Sequence, residues 1–268
     1  MDLIQSFILG AVQGLAEFLP ISSSGHLIVA HWLFNKDLGL AFDVALHWGT
    51  LLAVLVYFRI DIINLLRGFW HSLFKSTRDL EGNIYQKLSW LIIIASVPAA
   101  IIGKLLESKA ESVFRNPVLV ALNLAVFGVV ILLADKFGKK EKNLDKIKWT
   151  DALIIGLLQA LAIIPGISRS GATITAGLFL AFKRPDAARF SFLMSVPVIF
   201  GAGVLEAPNF TNTSSIPEVV VGFLAAAIFG FLAIKYLLRY IANHDFKVFV
   251  WYRFILAALI LAVYLGRM

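Results

Sequence analysis

Residues 10–34, GAVQGLAEFLPISSSGHLIVAHWLF, recur 146 residues later as residues 156–180, GLLQALAIIPGISRSGATITAGLFL, without a gap. Gly10, Gln13, Leu15, Ala16, Ile21, Ser22, Ser24, Gly25, Ile28 and Ala30 return as Gly156, Gln159, Leu161, Ala162, Ile167, Ser168, Ser170, Gly171, Ile174 and Ala176. Identity through an apolar helix, a Pro/Gly/Ser break and a second helix exceeds what shared hydrophobicity gives, so the chain is read as an internal duplication. Each copy has two helical halves, neither long enough to span a bilayer alone. Polar backbone at membrane depth is tolerated only when buried in protein or lining a wet cavity. Segments 3–34 and 151–182 are therefore read as re-entrant hairpins that leave by the side they entered.

The rest of the chain supplies the bundle around them. With 59% hydrophobic and 15% charged residues among 268 and a mean hydropathy of +0.84, one soluble core cannot hide the apolar content, and an all-α polytopic membrane protein is predicted. Six apolar runs near 40–58, 88–106, 117–134, 186–205, 217–236 and 248–266 match the roughly 20 residues of a crossing. A repeat of one hairpin and three spans crosses an odd number of times. Repeat two (151–268) is thus expected to be inverted relative to repeat one (1–134), with loop 135–150 between them. No cleavable signal peptide is expected at MDLIQSFILG, which lacks a basic n-region. Pro98 and Pro197 are expected to kink their spans.

Charge orients this scheme. Arg59, Arg67, Lys75, Arg78 and Lys87, the lysines from Lys136 to Lys148, Lys183, Arg184, Lys235, Arg239 and Lys247 all fall on one side. Lys36, Lys109, Arg115 and Arg267 fall on the other, where the loop 206–216 has no basic residue. The first side is predicted cytoplasmic and both termini outside. The net charge of +7 is accounted for by these topology signals, and no nucleic-acid partner is implied. Zero cysteines exclude disulfides, thiolate metal sites and cysteine nucleophiles.

Where the two copies differ, chemistry enters. Glu17 stands opposite Ile163, and Ser23 opposite Arg169, so only one copy carries each charge. Gln13 and Glu17, four apart, share a helix face. Arg169 lies in a glycine-containing turn that opens a helix, Gly166-Ile167-Ser168-Arg169-Ser170-Gly171-Ala172-Thr173. A guanidinium, free N–H groups at a helix start and the hydroxyls of Ser168, Ser170 and Thr173 suit phosphate oxygens. Gln13, Ser22, Ser24, Gly25, Gly166 and Gly171 complete the expected phosphate-binding set. Glu17 or His26 could act as base toward a hydroxyl nucleophile. Ser23, which has no serine counterpart, is the expected nucleophile, with Arg169 stabilising the transferred phosphoryl group. Asp43 and His47, four apart at the start of the first span, are either functional or simply solvated.

Gln13-x-x-x-Glu17 followed by Phe18-Leu19-Pro20-Ile21-Ser22-Ser23-Ser24-Gly25-His26, with Pro165-Gly166-x-Ser168-Arg169-Ser170-x-x-Thr173, resembles the undecaprenyl-diphosphatase, or bacitracin-resistance protein, family. Arg189-Phe190-Ser191-Phe192-Leu193 and Pro197 resemble its next segment. The resemblance implies a bacterial inner-membrane enzyme that removes one phosphate from undecaprenyl diphosphate, yielding the monophosphate carrier for peptidoglycan synthesis. It further implies catalytic roles for Glu17, His26 and Arg169, a nucleophile in the serine run, and help from a divalent cation, Mg²⁺ or Ca²⁺, at Glu17. Gln13 stands where many members have Glu, which makes a two-carboxylate metal site less expected. Bacitracin is expected to compete for the substrate, and a homo-oligomer is a further expectation. The competing reading is a transporter or flippase for an anionic lipid, since inverted repeats with broken helices also build carriers.

Overall fold

A computed structural model of the chain describes residues 2–34, 40–74, 84–112, 116–206 and 216–266. In chain order its main helices are α1 (Leu3–Phe18), α2 (Ser23–Phe34), α3 (Leu40–Tyr57), α4 (Arg59–Phe74), α5 (Ile84–Ser112) and α6 (Pro117–Phe137). They continue with α7 (Trp149–Ala160), α8 (Arg169–Phe179), α9 (Arg184–Glu206), α10 (Ile216–Ile241) and α11 (Lys247–Leu265). Among the described residues the only extended pairing is an isolated bridge between Lys142 and Phe182. Helices α5, α6, α9, α10 and α11 are each long and apolar enough to cross a membrane, which makes this a multi-pass membrane protein.

Each duplicated segment folds as a broken pair, α1 with α2 and α7 with α8. Helix α1 begins at a capping box in which Asp2 Oδ1 accepts from the Gln5 N–H at 2.7 Å, satisfying a first-turn donor. Its buried residues Ser6, Leu9, Gly10, Gln13, Gly14 and Glu17 follow the helical period and form one face. Glycine makes close packing possible there. A Cβ on Gly10 would lie 2.2 Å from Gly222 O of α10, and one on its counterpart Gly156 would lie 2.3 Å from Ala95 O of α5. Each hairpin's leading helix thus packs against a long helix from the other half of the chain.

Three features differ from the sequence reading. The stretch after the first span, expected as a basic loop from Arg59 onward, is helix α4, bent by 84° from α3. Its apolar residues Ile60, Ile63, Leu66, Trp70 and Leu73 recur at helical spacing and are exposed, while Arg59, Asp61 and Arg67 interrupt the run and hide it from a search for continuous hydrophobicity. Tyr85 donates to Asp61 at 3.0 Å and Arg189 pairs with the same carboxylate, fastening α4 to α5 and α9. Helix α2 starts at Ser23, inside the stretch read as the Pro/Gly/Ser break, because Ser22 caps it. The connection from Asp135 to Lys148, read as a loop between the repeats, is pinned by buried Leu144 and Ile147 and by the Lys142–Asp151 ion pair.

Pro98 and Pro197 sit inside α5 and α9, and each helix runs on continuously past its proline. Phe18 of α1 meets Phe192 of α9 edge to face at 5.3 Å, and Phe58 packs on the same ring at 6.4 Å. This aromatic cluster backs the residues next to Phe18. Lys36, Lys75, Arg78, Arg115, Arg267 and the connection 207–215 lie outside the described residues, as does the side chain of Lys109.

Candidate active site

The two breaks are built alike. Ser22 and Ser168, one ahead of each second helix, have φ of 72° and 76°, a region that ordinarily favours glycine and costs a serine of order 1–3 kcal/mol. Each hydroxyl accepts the N–H of the glycine three residues on, Gly25 at 3.3 Å and Gly171 at 3.1 Å. Each also contacts the serine two residues on at 3.2 Å, Ser24 or Ser170. The strained turn lets a serine serve as N-cap while the next residue becomes the first of the helix. That residue is Ser23 in α2 and Arg169 in α8. The first-turn N–H groups beside it have no intrahelical acceptor, so both helices begin with donors and a positive dipole end.

Both first residues reach one carboxylate. Ser23 Oγ donates to Glu17 Oε2 at 2.7 Å, and Arg169 Nη2 donates to Glu17 Oε1 at 2.9 Å. Gln13 Nε2 also donates to Oε2 at 2.9 Å. Glu17 is buried, and three donors suit the acceptor-only carboxylate form. A hydroxyl within hydrogen-bond reach of a carboxylate is the nucleophile–base arrangement. The adjacent guanidinium can neutralise transferred phosphoryl oxygens. Arg169 is in turn steadied by Ser191, whose carbonyl accepts from Nη1 at 3.3 Å. Thr173 Oγ1 contacts the Ser191 hydroxyl at 2.6 Å and donates to Arg169 O at 2.9 Å.

His47, left open between function and solvation, belongs to the same cluster. Its Nε2 lies 3.7 Å from Glu17 Oε2. Its Nδ1 donates to Asp43 O at 2.8 Å, which turns Nε2 toward the carboxylate. His26 sits apart from this group. Its Nδ1 donates to Ser22 O at 2.7 Å, so in the neutral ring Nε2 holds the lone pair and accepts from Tyr252 OH at 2.7 Å. The two rings stack at 5.6 Å.

The expected phosphate-binding residues are engaged with the protein itself. Ser170 Oγ donates to Leu19 O at 3.0 Å, joining the second hairpin to the first. Gly166, with φ of 93°, packs where a Cβ would lie 2.6 Å from Val120 O. Gln13 contacts Glu17, and Ser22, Ser24, Gly25, Ser168, Gly171 and Thr173 shape the two helix starts described above. Arg253, which the sequence reading passed over inside an apolar span, donates to carbonyls of both breaks. A cation in the middle of a span was the available signal. Among the described residues no three His, Asp or Glu side chains gather as a metal site. For a divalent cation the cluster offers one carboxylate, already shared with a guanidinium.

A family model described as bacitracin resistance protein BacA matches residues 6–259. An undecaprenyl-diphosphatase of Moorella thermoacetica is 48% identical over 266 residues, covering 98% of each chain. Another, of Rubrobacter xylanophilus, is 46% identical over 272 residues and 99% of each chain. A third, of Caldicellulosiruptor bescii, is 46% identical over 272 residues, 100% of this chain and 99% of its own.

Proposed function

The chain belongs to the bacitracin resistance protein BacA family, and we infer that its activity is that of its relatives, undecaprenyl-diphosphatase. It is a membrane enzyme that hydrolyses undecaprenyl diphosphate to undecaprenyl phosphate and inorganic phosphate. The observation that carries the mechanism is the Ser23–Glu17–Arg169 contact set within a bundle of apolar helices.

In the proposed first step Ser23 Oγ attacks the terminal phosphorus in line, and Glu17 takes the hydroxyl proton. The bond to the bridging oxygen breaks, undecaprenyl phosphate leaves, and a phosphoserine remains. Arg169 and the first-turn N–H groups of α2 and α8 receive the phosphoryl oxygens. In the second step water attacks the phosphoserine, the bond from phosphorus to Ser23 Oγ breaks, Glu17 returns its proton to that oxygen, and phosphate is released. His26, one turn along α2 from Ser23, is assigned to that step; once Tyr252 yields, its Nε2 lone pair takes a proton from the water. Glu17, with the oxygens of the diphosphate, would hold a Mg²⁺ or Ca²⁺, which would supply neutralising charge when bound. Serving one carboxylate rather than a protein cage, it would bind with the substrate.

The same reading extends to placement. Six spans and two re-entrant hairpins, in repeats of opposite orientation, would set both hairpin tips near midplane with both termini outside the bacterial inner membrane. It is supported by the paired glycine contacts of Gly10 and Gly156 and by the basic residues of one side. Helix α4 then lies along the cytoplasmic interface. Bacitracin would act by sequestering the diphosphate substrate. A carrier would need Arg169 and the donors but has no use for a serine seated on a carboxylate, which favours hydrolysis over transport.

Phosphate release from undecaprenyl diphosphate by purified protein tests the proposal, with Ser23→Ala and Arg169→Ala alongside. Release by the parent that both variants lose is the expected result. Turnover surviving in Ser23→Ala would move the attack to another hydroxyl or to water. A folded parent that releases no phosphate, with and without divalent metal, would return the chain to the carrier reading.

A further inference from the structure

Arg253 stands six residues into α11, roughly 9 Å along the helix, and is the bulkiest fully buried side chain among the described residues. Its five N–H groups each meet a backbone carbonyl. Nε donates to Leu124 O at 2.9 Å. Nη1 donates to Pro20 O at 3.1 Å and Ile167 O at 3.3 Å, and Nη2 to Asn123 O at 3.3 Å and Gly166 O at 2.7 Å.

The acceptors fall into three groups. Pro20 belongs to the break after α1, three residues before Ser23. Gly166 and Ile167 belong to the break before α8, three and two residues before Arg169. Asn123 and Leu124 belong to α6, whose Asn123 also donates from Nδ2 to Pro165 O at 2.9 Å. Both breaks end helical segments and leave carbonyls without intrahelical partners, a negative pole that suits a cation. One guanidinium therefore ties the two turns to each other and to a third helix.

Its five hydrogen bonds all end on backbone carbonyls rather than on a carboxylate, and a buried charge held this way is costly where well-packed apolar residues can be as stabilising. Every N–H is already spent on backbone, so Arg253 has no donor left to touch substrate. On these observations, and resting on the phosphatase reading above, we propose that Arg253 is a positioning residue. By fixing Pro20, Gly166 and Ile167 against one another it sets the distance between Ser23 and Arg169, the two groups that must face one phosphoryl. Lysine, with three donors on a single nitrogen, cannot reproduce five divergent bonds.

The test is steady-state hydrolysis of undecaprenyl diphosphate by Arg253→Lys, Arg253→Gln and Arg253→Met, per folded monodisperse protein, with each thermal midpoint recorded. A displacement of about 1 Å in the reacting groups costs about 100-fold in rate. The expected result is a folded variant whose kcat falls by about that factor while KM stays within about twofold, Lys being no better than Gln. A purely stabilising arginine would lower the midpoint and leave the kcat of the folded fraction at the parental value, which overturns the proposal. So would a loss confined to KM, or a series in which no variant folds. A parent that releases no phosphate overturns the phosphatase reading itself, and this inference with it.

Discussion

Ser23 and Arg169 are the first residues of two helices that begin by the same construction, and both donate to the carboxylate of Glu17, at 2.7 and 2.9 Å. The duplicated turns supply two helix starts, and divergence has furnished one with a hydroxyl and the other with a cation. Because Glu17 is matched by Ile163 in the second copy, only one carboxylate lies between them. A symmetric pair would have brought like charges together or none at all.

Removing the proposed base should separate chemistry from binding. Glu17→Gln keeps an acceptor for Arg169 but cannot take the Ser23 proton. A loss of about 100- to 10,000-fold in kcat is expected, with a much smaller change in KM. Ser23→Ala should lose at least as much. Phosphate release measured over a range of substrate concentrations separates the two constants. A Glu17→Gln enzyme with near-parental kcat would remove Glu17 from the base role.

His47 should matter less than either. Its Nε2 faces Glu17 Oε2 from 3.7 Å, beyond hydrogen-bond reach, on a side chain one-third exposed. His47→Leu removes a polar neighbour from the carboxylate and is expected to lower kcat by about 10- to 100-fold. His47→Gln, which keeps a polar amide at the same reach, should recover most of that. Equal losses in the two variants would show that ring shape rather than polarity is what α3 contributes.

Much of this site was legible in the sequence, and the failures have physical causes. The repeated helix–turn–helix with its serine, glycine and proline residues marks both breaks, and the mismatch of Ser23 with Arg169 marks the asymmetric pair. Glu17, Ser23 and Arg169 do meet. Arg253 escaped notice because a single cation barely alters the hydropathy of a 19-residue helix, and its partners are backbone carbonyls, which carry no residue signature. His47 lies thirty residues from Glu17 and reaches it only through the packing of α3 on α1. Helix α4 was hidden because its apolar residues are spaced at the helical period rather than run together.

The glycine contacts between the halves give a stability prediction free of catalysis. Gly10→Ala and Gly156→Ala each force a methyl to within 2.2–2.3 Å of a carbonyl oxygen of a neighbouring helix, and helix backbones cannot yield locally as a side-chain tip can. Overpacking of this kind costs about 1–3 kcal/mol, and both variants should show lowered thermal midpoints in detergent. Gly201→Ala is the control, since nothing lies within 4 Å of its added Cβ. A parental midpoint for Gly10→Ala would mean that α1 and α10 are spaced more widely than described.

The proposed opposite orientation of the two repeats makes a prediction about sidedness, which the absence of cysteine makes clean to test. Asp2 caps the first helix of repeat one, and exposed Lys146 lies just before the first helix of repeat two. An odd number of crossings between them puts the two positions on opposite faces, with Lys146 on the cytoplasmic side by the charge rule. A membrane-impermeant maleimide added to intact cells should therefore label Asp2→Cys and spare Lys146→Cys until the membrane is permeabilised. Asn243→Cys, exposed between α10 and α11, should behave like Lys146→Cys, since a hairpin that returns to its own side and two spans, α9 and α10, separate the two positions. Labelling of Asp2→Cys and Lys146→Cys from the same face would require an even number of crossings, and at least one hairpin or span assignment would then have to change.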